Sequence, residues 1–184
     1  MRAALTWAAL ALALGWPLWV AATSPLLAWR EPVYIVAGLA GVAGMCLLLV
    51  QPLLIGRLLP VPPRRARVLH RAAGIGLVAC VVLHVAGLWI TSPPDMVDAL
   101  TFTSPTLFTP FGVVAMWAVF SAAGVALMRS RVPRWRGLHL GLAVAVVGGT
   151  VVHALLIEGT MGTVSKAVLA VLVVGATGWV ILRR

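Results

Sequence analysis

The chain has 184 residues, 62% hydrophobic and only 10% charged, a composition that excludes an ordinary soluble domain and describes a succession of membrane spans. Its formal net charge of +10 would suggest nucleic acid in a soluble protein. Here the basic residues gather between apolar runs, so they report orientation in a bilayer and argue against a nucleic-acid surface.

Six apolar runs are long enough to cross a hydrocarbon layer about 30 Å thick, at 5–22, 33–56, 68–90, 111–128, 137–157 and 164–182. They predict an all-α integral membrane protein, a six-helix transmembrane bundle forming a single domain over residues 1–184. The first run follows Arg2 and ends on the small residues Ala21 and Ala22, the outline of a cleavable signal peptide. It is nevertheless longer than a usual signal core of roughly 7–15 residues and reads better as a retained span. Pro17 and Pro52 fall inside the first two spans, where membrane helices tolerate proline when neighbouring groups satisfy the freed backbone.

Arg57, Arg64, Arg65, Arg67 and Arg71 surround the second loop, and the third span then carries His70 and His84. The third loop reads TSPPDMVDALTFTSPTLFTP. Its prolines disfavour a continuous helix and leave room for a brief interfacial turn at 95–100. The fourth span ends at a second basic loop with Arg129, Arg131, Arg134 and Arg136; the fifth carries His139 and His153; the sixth begins beside Lys166 and runs to Arg183 and Arg184. Arg30, Glu31, Asp95, Asp98 and Glu158 fall on the side opposite the basic loops. By the positive-inside rule, loops two and four and both termini are cytoplasmic, which predicts a multi-pass protein of a bacterial plasma membrane. Trp16, Trp19, Trp29, Trp89 and Trp135 lie near span ends, where indoles are common in any membrane protein. Cys46 and Cys80 lie within spans without metal-type spacing and read as small apolar residues.

The four histidines are the chemical signal. His70 and His84, like His139 and His153, are fourteen positions apart, which returns to one helix face within about 40° and rises about 21 Å. Spans three and five run in the same direction, so His70 and His139 share the inner level and His84 and His153 the outer. A lone intramembrane histidine reads as a packing or proton-path residue. Two matched pairs, with no histidine elsewhere, read as axial ligands of two haems stacked between spans three and five. A neutral imidazole can give one nitrogen to iron and its other N–H to a backbone carbonyl, which resolves its polarity in lipid. Ala72, Ala73, Gly74, Gly76 and Ala79 on one span, and Gly141, Ala143, Ala145, Gly148 and Gly149 on the other, offer space for a flat macrocycle, although small residues are also common at any helix contact in membranes. Arg67 and Arg71 at the inner level, and Lys166 at the outer, are candidate propionate partners; the two arginines read equally well as topology determinants.

The segments RVLHRAAGIGLVACVVLHVAGLW and WRGLHLGLAVAVVGGTVVHALLIEG, with GLWITSPPDMVDALTFTSPT and the Phe111-Gly112 opening of span four, resemble the ferric reductase-like transmembrane family. That family includes membrane ferric reductases, NADPH oxidase cores and the haem subunit of a periplasmic methionine sulfoxide reductase system. The resemblance implies two b-type haems, ligated by His70 with His139 and by His84 with His153, carrying electrons across the bilayer. No glycine-rich phosphate loop or dinucleotide fingerprint is found in the sequence. Flavin is therefore expected only through a partner or as a diffusible donor. The implied donor is a cytoplasmic flavoprotein reductase or a membrane quinol, and the implied acceptor a ferric complex or a periplasmic redox protein. Asp95, Asp98 and Glu158 stand where a cationic acceptor would approach, and equally read as solvated loop charges. A quinol-linked dihaem cytochrome of the b561 class is the alternative within redox chemistry. A histidine-lined metal transporter and a structural subunit are the alternatives outside it.

Overall fold

The computed structural model describes residues 1–183; Arg184, counted above among the terminal basic residues, lies outside them. The described residues form seven α-helices and a short 3-10 turn, without strands. They are α1 (Arg2–Ala22), the turn at Pro25–Leu27, α2 (Pro32–Ile55), α3 (Pro63–Thr91), α4 (Pro93–Leu100), α5 (Thr109–Leu127), α6 (Trp135–Leu156) and α7 (Thr163–Leu182). Six are long and apolar enough to cross a membrane, all but α4. Proline opens α2, α3 and α4 and takes the second position of α5; at a helix start its missing N–H leaves no hydrogen bond unmade.

The six spans match the expected runs, with the largest difference at α3. The expected 68–90 is a helix over Pro63–Thr91, 29 residues, or about 43 Å at 1.5 Å per residue. Arg64, Arg65 and Arg67 lower the hydropathy of its first turns but favour helix, so the helix begins well before the apolar run. His70 follows Pro63 by seven positions and Thr91 follows His84 by seven, which centres the histidine pair on the helix. The turn expected at 95–100 is instead the eight-residue helix α4, begun by two prolines and by Ser92, whose hydroxyl donates to the Asp95 carboxylate.

The helices fall into two compact units. The first comprises Met1–Thr91 and the segment that begins at Glu158, hence α1, α2, α3 and α7; the second is Ser92–Ile157, hence α4, α5 and α6. In the first unit α2 is central and packs on α1, α3 and α7. It buries Ala37, Ala40, Val42, Met45, Cys46, Leu48, Leu49 and Leu54, the apolar lining that holds the unit together. Val180 near the end of α7 stands 2.9 Å from where a Cβ on Gly56 would lie, and Val20 near the end of α1 stands 3.5 Å from that of Gly162. Helix α7 thus runs parallel to α2 and antiparallel to α1. One end of this unit gathers Arg57, Arg64, Arg65 and Arg183, and the other holds Arg30, Glu31 and Lys166.

In the second unit α5 buries Val113, Ala115, Met116, Ala118, Val119 and Val125 and packs along α6. The loop between these helices carries Arg129, Arg131 and Arg134, whereas α4 at the opposite end carries Asp95 and Asp98. Each unit taken alone therefore has one basic end.

Candidate functional site: four histidines on two helix pairs

The first unit places His70 and His84 on α3, packed against α2; the second places His139 and His153 on α6, packed against α5. All four rings are partly buried. The histidine helices are otherwise open. On α3 only Ala66 and Gly87 are fully buried, and on α6 Val144, Gly141 and Gly148 are exposed.

Three of the rings are held in the same manner. His84 Nδ1 lies 2.8 Å from the Ala37 carbonyl oxygen of α2, His139 Nδ1 lies 3.1 Å from that of Ala122 on α5, and His153 Nδ1 lies 3.0 Å from that of Phe108 at the start of α5. A carbonyl oxygen can only accept, so each Nδ1 carries the proton. In the neutral ring Nε2 then keeps its lone pair, the form in which imidazole binds a metal, and the carbonyl fixes both tautomer and ring plane. Aromatic edges add to the orientation in the second unit. Phe108 meets His153 at 5.6 Å between ring centres, and Trp135 meets His139 at 6.5 Å, both T-shaped.

His84 and His153 share a further device, which spacing and hydropathy do not reveal. The residue one helical turn after the acceptor carbonyl is glycine in both pairs: Gly41 after Ala37, and Gly112 after Phe108. A Cβ on Gly41 would stand 3.0 Å from His84 Nδ1, and one on Gly112 only 2.7 Å from His153 Nδ1. Without a side chain, each glycine opens a notch through which the ring reaches the backbone. Gly112 still donates its own N–H to the Phe108 oxygen at 3.2 Å, so this oxygen uses both lone pairs. The helices also approach closely at the same level. A Cβ on Gly87 of α3 would lie 2.7 Å from the Ala37 Cβ, and one on Gly149 of α6 would lie 2.8 Å from the Phe111 oxygen.

His139 and His70 are set differently. His139 donates to the Ala122 carbonyl, and the residue one turn later is Ala126 rather than glycine. At His70 the backbone takes part: Gln51 Nε2 of α2 donates to its carbonyl at 3.3 Å. Gly74, one turn further along α3, leaves that amide room, its would-be Cβ lying 3.5 Å from Gln51 Nε2. The glycines expected to face a macrocycle therefore divide. Gly74, Gly76 and Gly149 pack against the neighbouring helix, whereas Gly141 and Gly148 have open space where a side chain would stand.

Arg67 and Arg71 are exposed on the first turns of α3; Arg67 lies three residues before His70 and so on its face. Lys166 is buried at 9% exposure in the first turn of α7, beside buried Ser165, at the end of the first unit opposite Arg183. Cys46 and Cys80 are free thiols, and Cys46 points to the Leu14 carbonyl of α1 at 3.7 Å. Among the described residues no three His, Cys, Asp or Glu side chains converge on one point. A compact non-haem metal centre takes three or four protein ligands, whereas iron in a porphyrin needs at most two.

No curated protein and no solved structure matches the chain. A family model does, that of the ferric reductase-like transmembrane component, over residues 36–150. The match begins one residue before Ala37, the carbonyl that holds His84, and takes in α3, α5 and most of α6, with His70, His84 and His139 inside it and His153 just beyond its end. The apolar spans, the histidine-bearing helices and this match together make the chain a member of the ferric reductase-like transmembrane family.

Proposed function

We propose that residues 1–184 act as one dihaem domain, with His70 and His139 ligating an inner b-type haem and His84 and His153 an outer one. The domain carries electrons from a cytoplasmic flavoprotein reductase, reduced flavin or membrane quinol to a ferric complex or a redox protein on the far side. The observation that supports this most is the Nδ1–H···O=C bond at three of the four rings. It leaves Nε2 as the nitrogen that carries the lone pair of each neutral ring, the state an axial ligand needs. When bound, each haem supplies one-electron iron chemistry whose potential depends on its axial ligands and surroundings.

The chain's own part is to hold the imidazoles in one tautomer, to space them about 21 Å apart along each helix, and to surround them with apolar side chains that keep water away. Arg67 and Arg71 stand near His70 as partners for inner propionates, and Lys166 offers a buried cation at the other end of the first unit for an outer propionate. Orientation follows from charge. Each unit has one basic end, and setting both in the cytoplasm of a bacterial cell places the termini inside and Asp95 and Asp98 outside.

The ligand assignment is tested by replacing one histidine at a time. His84→Ala or His153→Ala is expected to lower the pyridine haemochrome yield from two haems per chain to one, and His70→Ala or His139→Ala to do the same with a different residual spectrum. Two haems retained in the folded His84→Ala and His153→Ala proteins would refute the assignment.

A further inference from the structure

At the basic end of the first unit, the last turns of α2 and α7 enclose a groove of about 370 Å³, lined by Ile55, Arg57, Leu58, Trp179, Val180 and Arg183 around Gly56. No acidic side chain lines it. Gly56 forms its floor because nothing larger fits: a Cβ there would lie 2.9 Å from both Val180 Cγ2 and the Pro52 oxygen.

Both cations are set by specific local structure. The Arg183 guanidinium lies 3.7 Å from the centre of the Trp179 ring; stacking on an aromatic face leaves the edge N–H groups available to an anion. Arg57 has φ +57°, the left-handed conformation that favours glycine at a helix end. The chain leaves α2 with Leu58 N–H bonded to the Leu53 oxygen at 3.0 Å, the six-to-one bond of a Schellman turn, after a last helical bond from Gly56 N–H to the Pro52 oxygen at 2.7 Å. Arginine thus occupies the position at which glycine would close the turn without strain, and the strain is retained where the side chain borders the groove.

The walls are apolar and open. Ile55 and Leu58 are each 38% exposed and Trp179 39%, at the ends of two membrane-spanning helices where headgroups meet acyl chains. A ligand suited to two guanidiniums over an apolar, aromatic wall carries a phosphate and hydrocarbon together. We propose that the groove is a binding site for an anionic phospholipid, with its phosphodiester between Arg57 and Arg183 and the upper part of its chains along Ile55, Leu58 and Trp179. Arginines that only report topology attract any anionic surface and select no headgroup within a bound complex.

Native mass spectrometry of the detergent-solubilised protein, mixed with phosphatidylglycerol or phosphatidylcholine, separates these cases. The expected result is a preference for phosphatidylglycerol of roughly tenfold or more, as two cations near one headgroup can provide. Arg57→Gln/Arg183→Gln is expected to bring this close to parity, and Arg129→Gln/Arg131→Gln, which removes the same charge from the other unit, to preserve it. Millimolar inorganic phosphate is expected to leave the bound lipid in place. No preference in the unaltered protein, equal loss in both double variants, or displacement by inorganic phosphate would each overturn the proposal. The readout is independent of haem content, so this site and the ligand assignment stand or fall separately.

Discussion

His84 and His153 are set into their neighbouring helices differently from His70 and His139. His84 and His153 lie in different units and on different helices, yet each donates Nδ1–H to a carbonyl followed one turn later by a glycine that a Cβ would drive into the ring. His139 uses a carbonyl followed one turn later by Ala126, and the His70 main-chain oxygen receives a glutamine amide. The same local solution, reached once in each unit, fixes ring plane and tautomer at His84 and His153. His139 shares that bond without the glycine, and at His70 helix α2 reaches the main chain through Gln51.

This contrast can be broken at the notches. Gly112→Ala is expected to have the largest effect, because its Cβ would arrive 2.7 Å from His153 Nδ1. Overpacking of that kind costs about 1–3 kcal/mol, and loss of the carbonyl partner weakens metal binding by roughly 10–100-fold. The outer haem should therefore be depleted on purification while the inner haem signal persists. Gly41→Ala, with 3.0 Å to His84 Nδ1, should act in the same direction more weakly, read as a shifted outer midpoint potential in a redox titration. Gly124→Ala is the matched control: nothing from its surroundings lies within 4 Å of its would-be Cβ, so haem content should stay at the unaltered level and thermal stability should not fall. Equal haem loss in Gly124→Ala and Gly112→Ala would mean that the notch has no specific role.

A smaller effect is expected from Gln51→Ala. It removes one part-buried hydrogen bond, at 3.3 Å, to the His70 carbonyl, worth about 1 kcal/mol. The unfolding midpoint should fall slightly and any spectral change should be confined to the inner haem. A change confined instead to the haem assigned to His84 and His153 would contradict a local role for Gln51.

Much of this arrangement is legible in the sequence, for identifiable reasons. Hydropathy finds all six spans because the bilayer sets their length, and the fourteen-residue spacing of His70 and His84 survives unchanged in α3 because a continuous helix converts spacing directly into rise. Hydropathy misses the first turns of α3 because Arg64, Arg65 and Arg67 are polar but helix-compatible, and it reduces α4 to a turn because consecutive prolines resemble a break when they are in fact a start. The notches are not legible. The groups that hold the rings are main-chain oxygens of Ala37, Ala122 and Phe108, on which side-chain identity leaves no mark, and Gly41 is one glycine among several in a span where small residues are ordinary. Gly112 is the nearest to legible, as part of the Phe111-Gly112 opening of span four. Its role emerges only when α6 brings His153 within 3.0 Å of Phe108.

The central claim is that this family member holds two haems through its four histidines. The most direct measurement is the absorption spectrum of the protein purified from haem-replete cells, oxidised and dithionite-reduced, with pyridine haemochrome quantification per chain. The account predicts two low-spin b-type haems per polypeptide. Folded protein that is reproducibly haem-free would contradict it.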